Sequence, residues 1–567
     1  MIMKQSMKHS VLVMLALLAA FTATARVHTV DAGSVRGDLT QYLRGLCQSV
    51  NRSDTIVLNV GKGEYNINGT IEFRCHAIVR GAGIGQSVLV LNNTRDSGGF
   101  KAFTDDAFLK FSGKVEQPLS VAISDLSIRL QDHKGIWWKD GKKIEPKHAV
   151  KIYHANRVDV RRVDSRMANA VITNFDLRVC SNVTFTDCII TNYNNCEDGG
   201  NLWFRGETRN VTVKHNKFYK FGSDEALSMF SNVVNIRGDI KGNVTRADIL
   251  VEDNEFFYGY DGKDKTRDMV NNTLVTLESD AANEWATTLR NVRIKDNKFY
   301  INDECKRCFL IRLSEKDTHH GIVIEGNQII NKDLHSDKQY YRYDFDINDK
   351  SRGMDTISIK GNTVTNHNSV LNSSKSIGYS FIFMQRGNID ISDNKIVSTV
   401  TTDRYTGRGT GVQLLWCGEG GGSATMRNNV CKGVMCLATI GAGNGTKQFT
   451  LNAFNNYFTG DTRIYCNKIE YLDLNFTGNT IVSNDTHFFL QEFAKRGTLT
   501  FCNNDVTVKT GDGRLLNHYT KTSTDAMKFE RLEVRGNIFR GVKGEQDVFK
   551  KITNVKKRRL SSNRYVR

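Results

Sequence analysis

A short motif recurs along most of the chain, and it constrains the fold more than any other feature. The motif is apolar-x-apolar-x-x-Asn-x-apolar, and its eleven copies carry Asn216, Asn254, Asn297, Asn327, Asn362, Asn394, Asn429, Asn456, Asn479, Asn504 and Asn537. The alternating apolar positions predict short strands rather than helices. A repeat of this kind predicts a solenoid, because each copy can bury its apolar side only by stacking on its neighbours.

The asparagine of each copy follows the first strand and is expected at a sharp corner. Asparagine tolerates the left-handed backbone conformation, and its side-chain amide can bond to the same amide one coil away. Any single copy is equally well explained as a solvated turn residue. Eleven copies in register instead predict a continuous asparagine ladder.

The spacing divides each coil into three strands, for example Val211–Val213, Lys217–Phe221 and Ala226–Phe230. Near the N-terminus, Gly63-Glu64-Tyr65-Asn66-Ile67 precedes Val79-Arg80-Gly81-Ala82-Gly83. These motifs resemble the entrance coils of the pectate-lyase-like superfamily, and the likeness extends over about residues 30–550. The resemblance implies an all-β, single-stranded, right-handed parallel β-helix of the bacterial secreted, polysaccharide-active branch. We also expect a short capping helix around residues 39–50, because solenoid ends need their apolar faces covered.

The first residues have the pattern of a secretory signal. Lys4 and Lys8 precede an apolar run from Val11 to Phe21, and Ala23-Thr24-Ala25 supplies a small-residue cleavage site. The run is too short to cross a bilayer. The predicted organisation is therefore a signal peptide at 1–25, a cap at 26–60, the β-helix at 61–547 and a basic tail at 548–567. We expect a monomeric protein, secreted or periplasmic, without membrane insertion.

The charge balance indicates the kind of partner. The chain has 78 Lys and Arg against 61 Asp and Glu, a formal net charge of +17. Such a surplus favours polyanions. Export makes an acidic polysaccharide the expected partner and nucleic acid an unexpected one.

The sharpest candidate site is a group of acids in two successive turns between the second and third strands. Asp198 lies in one turn, and Asp224 and Glu225 lie in the next. Stacked coils are about 4.8 Å apart, so these carboxyls are expected to be close enough to perturb each other's pKa and to serve as catalytic acid and base. The same acids could instead bind Ca²⁺ or simply occupy solvated turns.

Further candidates lie on or beside the strands. By alternation, Trp203 and Arg205 are expected to point outward, Trp203 to stack on a sugar and Arg205 to clamp a carboxylate or act as a base. Arg312, Trp416 and Lys214 are further candidates for substrate binding. The insertions at 259–273, 332–343, 365–377 and 399–411 are expected to build one binding side.

These features favour a polysaccharide lyase or glycoside hydrolase acting on a pectin-like uronate glycan. The polygalacturonase branch of the superfamily has stacked acids, which Asp198, Asp224 and Glu225 resemble. Its His and Arg-x-Lys motifs have only misplaced counterparts here, so that branch's mechanism does not transfer. A non-catalytic glycan-binding protein or adhesin is the alternative. A tailspike-like fibre ranks third, because no trimerisation region is visible.

Overall fold

The computed structural model describes residues 25–92, 107–130, 138–139, 142–143, 148–167, 173–194, 199–222, 231–237, 242–260, 273–279, 285–301, 307–331, 341–351, 355–366, 370–371, 378–398, 401–402, 411–417, 421–434, 436–440, 448–460, 464–466, 469–483, 494–509, 528–549, 552 and 554–567. Within these residues, 42 strands form one parallel sheet wound into a right-handed solenoid. The predicted fold class is confirmed.

The sheet consists of three ladders, named A, B and C, and the chain passes through them in that order in every coil. Ladder A holds Val27–Asp31, Thr55–Val60, His76–Gly81, Val244–Glu252, Thr287–Lys295, Thr318–Glu325, Ile357–Lys360, Gly422–Arg427, Gln448–Phe454, Ile469–Thr477, Ala494–Cys502, Lys528–Arg535 and Val555–Ser561. Ladder B holds Gly63–Ile67, Ser87–Leu91, Ile189–Asn194, Lys217–Gly222, Glu255–Tyr260, Lys298–Ile301, Gln328–Asn331, Thr363–Asn366, Lys395–Ser398, Val430–Val434, Tyr457–Gly460, Thr480–Ser483, Asp505–Val508, Ile538–Arg540 and Arg564–Val566.

Ladder C is the third strand of each coil. It holds Ile71–Phe73, Ala107–Ser112, Ser231–Arg237, Thr273–Glu278, Arg307–Leu313, Tyr341–Asp349, Gly411–Cys417, Cys436–Ile440 and Ile464–Cys466. Five longer strands turn a corner and belong to more than one ladder: Leu119–Leu130, His148–Met167, Thr173–Thr186, Gly199–Lys214 and Gly378–Ser392. The third strand predicted at Ala226–Phe230 lies outside the described residues, and the strand that follows there is Ser231–Arg237.

The asparagine ladder is present and continuous at the corner between ladders A and B. The Oδ1 atom of Asn254 accepts hydrogen bonds from the backbone N–H and the Nδ2 of Asn216, at 2.9 and 3.0 Å. The Nδ2 of Asn254 in turn donates to the carbonyl of Val213 and to Oδ1 of Asn297, both at 2.9 Å. The same pattern repeats through all eleven predicted asparagines and ends at a twelfth, Asn563, which the motif search missed. The amides from Asn254 to Asn537 are buried and use all their donors and acceptors, whereas Asn563 at the end of the ladder is half-buried.

The backbone conformation at this corner differs from the prediction. The left-handed residue is not the ladder asparagine but the residue before it, as at Asp253 (φ 52°), Asp296 (φ 56°) and Asn428 (φ 53°). Glycine fills this position at Gly326 and Gly361, where φ is 66° and 63°. The ladder asparagine is thereby turned inward, so that its amide can stack on the amides of adjacent coils.

The core is a series of columns in which each side chain packs on its equivalent in the next coil. In ladder B, the rings of Phe218, Phe256 and Phe299 are stacked with centroids 5.0 and 4.7 Å apart. Burial of such a side chain contributes about 1.5–3 kcal/mol. Burial also raises the pKa of the Cys180 and Cys188 thiols to about 12, as expected of unreactive core cysteines.

Both ends of the solenoid extend beyond the limits of 61 and 547 predicted for the β-helix. At the start, the α-helix Leu39–Ser49, which follows a short 3₁₀-helix at Ala32–Ser34, packs its buried face on the first strands of ladders B and C. Its N-terminus is capped by Asp38, whose side chain accepts from the backbone N–H groups of Thr40 and Gln41. This confirms the predicted capping helix.

At the other end, the segment predicted as a basic tail contains a helix, Glu545–Phe549, and the last strands of ladders A and B. The final ladder A strand exposes Lys556, Lys557 and Arg559 along its length. Charged residues on a terminal strand discourage the pairing of further strands from other molecules. None of the described helices is long and apolar enough to cross a membrane.

We predict that Asn362→Ala lowers the free energy of unfolding by at least about 3 kcal/mol, because it leaves several buried donors and acceptors without partners. The groups affected are the N–H and Nδ2 of Asn327, the carbonyl of Ile324 and the Oδ1 of Asn394. Urea unfolding followed by circular dichroism measures the change. Thr363→Ala, on the outer face one residue away, is the control and should change stability by less than about 1 kcal/mol. Equal effects of the two substitutions would contradict a stabilising role of the ladder.

Candidate functional site

The connections from ladder B to ladder C carry the long insertions of the chain. The four insertions predicted from the sequence all lie at this edge, between strands that end at Tyr260, Asn331, Asn366 and Ser398 and the ladder C strands that follow. Within two of them, Val370–Leu371 and Thr401–Thr402 pair in parallel, so insertions of successive coils contact each other. The prediction that the insertions share one side of the solenoid is correct.

The basic segment near the N-terminus joins the same edge. It connects the strand Leu119–Leu130 to His148–Met167, and within it Trp138–Lys139 pairs antiparallel with Lys142–Lys143. Ladders B and C both flank this edge. Ladder C carries the sequence-predicted Trp203, Arg205, Arg312 and Trp416, and its outer face is therefore the candidate site.

Two columns of outward positions run along ladder C. The first, here called the tryptophan column, has one residue per coil: Asp176, Trp203, Asn235, Thr276, Leu310, Asp346, Phe383 and Trp416. The second, here called the arginine column, consists of Arg178, Arg205, Arg237, Glu278, Arg312, Asn348 and Arg386. The sequence-predicted Trp203 and Trp416 thus share one column, and Arg205 and Arg312 share the other, three coils or about 14 Å apart.

A charged cluster is centred on Asp176 at the N-terminal end of both columns. Its side chain is fully buried, and its carboxylate lies 2.9 Å from Nε of Arg178, 3.0 Å from Nε of Arg205 and 3.2 Å from Nε2 of His148. Among the described residues, this one carboxylate is shared by two guanidinium groups. An anionic group is the ligand that such a cluster would attract.

Trp203 and Arg205 point away from the core, as expected, but both side chains are almost completely covered. Trp203 is 5 % exposed and Arg205 8 % exposed. The guanidinium carbon of Arg205 lies 4.1 Å from the centroid of the Trp203 ring, in a cation–π contact. Strand alternation gives the direction of a side chain but not what covers it. Among the described residues the indole N–H of Trp203 has no hydrogen-bond acceptor.

In the later part of the arginine column, the side chains of Arg312 and Arg386 are accessible to solvent. Arg312 is paired with Glu278 at 2.9 Å, and 42 % of its side chain remains exposed. Arg386 lies 3.9 Å from Glu315 and is also exposed. The strand Gly411–Cys417 places Trp416 in the tryptophan column, but its side chain lies outside the described part of the chain.

Lys214 is on a different ladder from the other candidates. It lies on ladder A, next to Glu252 in the following coil, and its Nζ is 3.0 Å from Oε2 of Glu252. Hydrogen bonds from Lys295 and Lys214 lower the pKa of Glu252, so the carboxylate stays charged and is shared by both lysines. Lys214 thus serves an ion-pair network apart from the ladder C face.

Asp198, Asp224 and Glu225, predicted as catalytic or Ca²⁺-binding acids, lie outside the described residues. Their flanking strands are described: Asn194 pairs with Gly222 in ladder B, and Gly199 pairs with Ser231 in ladder C. Both acidic segments therefore belong to the B-to-C connections of adjacent coils, at the start of the ladder C stretch that ends, six residues or about 20 Å later, at Arg205.

Sequence reasoning missed His148, Asp176, Arg178 and Arg237. For the two arginines a signal was available, because Leu177-Arg178, Phe204-Arg205, Ile236-Arg237 and Ile311-Arg312 share the pattern of an inward apolar residue followed by arginine. It becomes visible only when the ladder C strands are aligned. The insertions of variable length hide that alignment.

The sequence matches no protein-family profile and no curated protein sequence. Among solved structures, the lidless DFA-IIIase of Arthrobacter chlorophenolicus A6 is 12 % identical, with a TM-score of 0.35 over 68 % of this chain and 94 % of that one. The family 28 exopolygalacturonase of Yersinia enterocolitica is 10 % identical, with a TM-score of 0.31 over 76 % and 78 %. The N-terminal fragment of bacteriophage Phi29 gene product 12 is 9 % identical, with a TM-score of 0.29 over 94 % and 95 %. Likenesses this distant carry no argument about activity.

We predict that Asp176→Ala destabilises the protein by about 3–5 kcal/mol, because it leaves Arg178 and Arg205 without their buried counter-charge. Thermal or urea unfolding of the purified variant measures the loss. Asp159→Ala removes an exposed partner of Arg161 on ladder A and should cost less than about 1 kcal/mol. An Asp176→Ala variant as stable as wild type would show that the cluster does not depend on this carboxylate.

Proposed function

We propose that the chain is an exported carbohydrate-active enzyme that cleaves an acidic polysaccharide lying along the outer face of ladder C. The observation that carries the proposal is the arginine column. Arg178, Arg205 and Arg237 occupy the same position in three successive coils, and Arg312 and Arg386 continue the column. Five arginines in one column have a single carboxylate, Glu278, among them.

Electrostatics explains why such a column would select a polyanion. Like charges stacked directly opposite each other in a sheet are destabilising. Asp176 pairs with Arg178 and Arg205, Glu278 pairs with Arg312, and Glu315 lies 3.9 Å from Arg386. Within the described residues, three carboxylates thus face four arginines of the column. A chain of uronate or sulfated sugars would supply further negative charge at regular intervals, and a guanidinium group can bind each carboxylate through two hydrogen bonds.

The reaction type depends on the acids of the B-to-C connections. In hydrolysis, one of Asp198, Asp224 and Glu225 would protonate the glycosidic oxygen, and another would activate water or attack the sugar. In β-elimination, a base would remove the proton at C5 of the uronate, the bond from C4 to the leaving oxygen would break, and a cation would neutralise the carboxylate. Ca²⁺ held by the same acids is one proposed source of that positive charge.

The pairing of Arg205 bears on its proposed role. An arginine is not deprotonated in proteins, and the carboxylate of Asp176 at 3.0 Å further favours its charged form. We therefore assign Arg205 to binding and neutralising the substrate anion, with Arg312 as the accessible counterpart, rather than to removing the proton.

The second candidate function is non-catalytic capture of the same polysaccharide. It is favoured by the fact that the exposed binding residues, Arg312 and Arg386, carry charge but no group suited to acid or base catalysis. Both functions involve the same polysaccharide on the outer face of ladder C, and they differ only in whether the polysaccharide is cleaved.

A panel of polysaccharides distinguishes these functions. Purified protein is incubated with polygalacturonate, alginate and sulfated glycans, in Ca²⁺ or EDTA, and compared with neutral glucans. We expect cleavage of an acidic member only. New ultraviolet absorbance from unsaturated uronates identifies a lyase, and new reducing ends without absorbance identify a hydrolase. Binding without cleavage identifies the capture protein, and the absence of both contradicts the proposal.

We predict that Asp224→Asn and Glu225→Gln each lower kcat by about 10²–10⁴-fold with little effect on binding, because each removes a proton-transfer group. Initial rates on the substrate found in the panel measure the effect. Asp253→Asn is the matched control, because Asp253 is an exposed acid at the corner between ladders A and B, where asparagine adopts the same left-handed conformation. Unchanged rates in both variants would remove these acids from the mechanism.

A further inference from the structure

A groove of about 730 Å³ lies on the outer face of ladder A, in the last coils of the solenoid. It is separate from the ladder C face. Two columns of equivalent positions in successive coils line it. The first consists of Thr450, Asp473, Thr498, Arg531 and Lys557. The second consists of Asn452, Asn475 and Thr500. The first column spans five coils, a length of about 19 Å.

The chemistry of the walls suits a sugar chain. Thr498 donates a 2.5 Å hydrogen bond to Oδ1 of Asp473, and the amides of Asn452 and Asn475 are half-exposed in adjacent coils. Hydroxyl, amide and carboxylate groups together can both donate to and accept from sugar hydroxyls. Tyr471 adds a half-buried aromatic ring at the side of the groove, and the guanidinium carbon of Arg496 lies 5.6 Å from its centroid.

A β-bulge shapes the groove. Gly497 pairs with Phe529 and Thr498 pairs with Arg531, so Glu530 is an extra residue with no partner on the preceding strand, Ala494–Cys502. Bulges of this kind redirect a side chain. Here Glu530 joins the groove lining, and its carboxylate lies 4.0 Å from Nη1 of Arg496. Burial, together with the carboxylates of Asp473 and Glu530, raises the pKa of Tyr471, so its hydroxyl remains a neutral hydrogen-bond donor.

Basic residues close the C-terminal end of the groove. Arg531, Lys556 and Lys557 line it there, and Arg531 and Lys557 are neighbours in register. Asp473 and Glu530 lie within the same groove and would repel a polyphosphate backbone. An oligosaccharide that presents hydroxyls to the carboxylates and its own acid groups to the basic end fits this distribution better than a nucleic acid does.

We propose that this groove is a second binding site, for an acidic oligosaccharide, distinct from the ladder C face. The proposal rests on the proposed function only for the class of ligand. In that role the groove would hold a stretch of polysaccharide away from the place where it is cleaved.

Calorimetric titration of the full chain with hexagalacturonate tests the proposal. We expect two binding events per molecule and only one in the double variant Arg531→Gln, Lys557→Gln. In that variant the affinity of the groove for the oligosaccharide should fall about tenfold or more, because two charge-assisted contacts are lost.

Tyr471→Ala should weaken the binding event in the groove, and Tyr471→Phe should retain it. Arg535→Gln, on the same strand as Arg531 but paired with Glu533 outside the groove, should leave both events unchanged.

A ladder C variant separates failure of this inference from failure of the proposed function. Arg312→Ala combined with Arg386→Ala should remove the other binding event and leave the groove event intact. Loss of all binding in that variant would show that the groove does not bind the oligosaccharide, and it would be consistent with binding at ladder C. Retention of both binding events in that variant would contradict binding at ladder C and would remain consistent with binding in the groove. Equal binding of maltohexaose, or tighter groove binding of a single-stranded oligonucleotide, overturns the proposed ligand class.

Discussion

Each ladder asparagine joins adjacent coils through one buried amide. Its Oδ1 accepts two hydrogen bonds from the asparagine of the preceding coil, and its Nδ2 donates to the preceding coil and to the next asparagine. From Asn254 to Asn537 all four hydrogen-bonding positions of the amide are used, so a shift of one residue between coils would leave buried polar groups without partners. The ladder therefore fixes the register of the coils from Asn216 onward relative to their neighbours.

Fixed register converts a linear sequence into columns of equivalent positions. Each position of a ladder C strand, including that of the arginine column, lies about 4.8 Å from the same position in the next coil. Arginine at this position in three successive coils becomes a basic strip, and aromatic residues elsewhere become stacks such as Tyr219, Phe257 and Tyr300. The same regularity brings like charges together. Counter-charges such as Asp176 and Glu278 are therefore as much a part of the face as the arginines.

The sequence was sufficient for the features that depend on periodicity. The alternation predicted the strands, and the recurring asparagine predicted the ladder, since both follow from local spacing. The outward direction of Trp203 and Arg205 also followed from alternation within a strand. What could not be predicted depends on neighbours far along the chain. The burial of Trp203 and Arg205 depends on what covers the strand, and their partner Asp176 lies on another coil, 27 and 29 residues away in sequence.

The two basic surfaces differ in a way that bears on how a long glycan would lie on the molecule. The arginine column ends at Arg386, where the strand Gly378–Ser392 turns the corner from ladder C into ladder A. The ladder A groove begins at Thr450, two coils further along the axis, or about 10 Å. A polysaccharide leaving the arginine column at this corner would need only a short further stretch to reach the groove. Because the first surface is a strip of guanidinium groups and the second mixes carboxylates with hydroxyls and amides, the two would hold one chain by different contacts, charge at the first and sugar hydroxyls at the second.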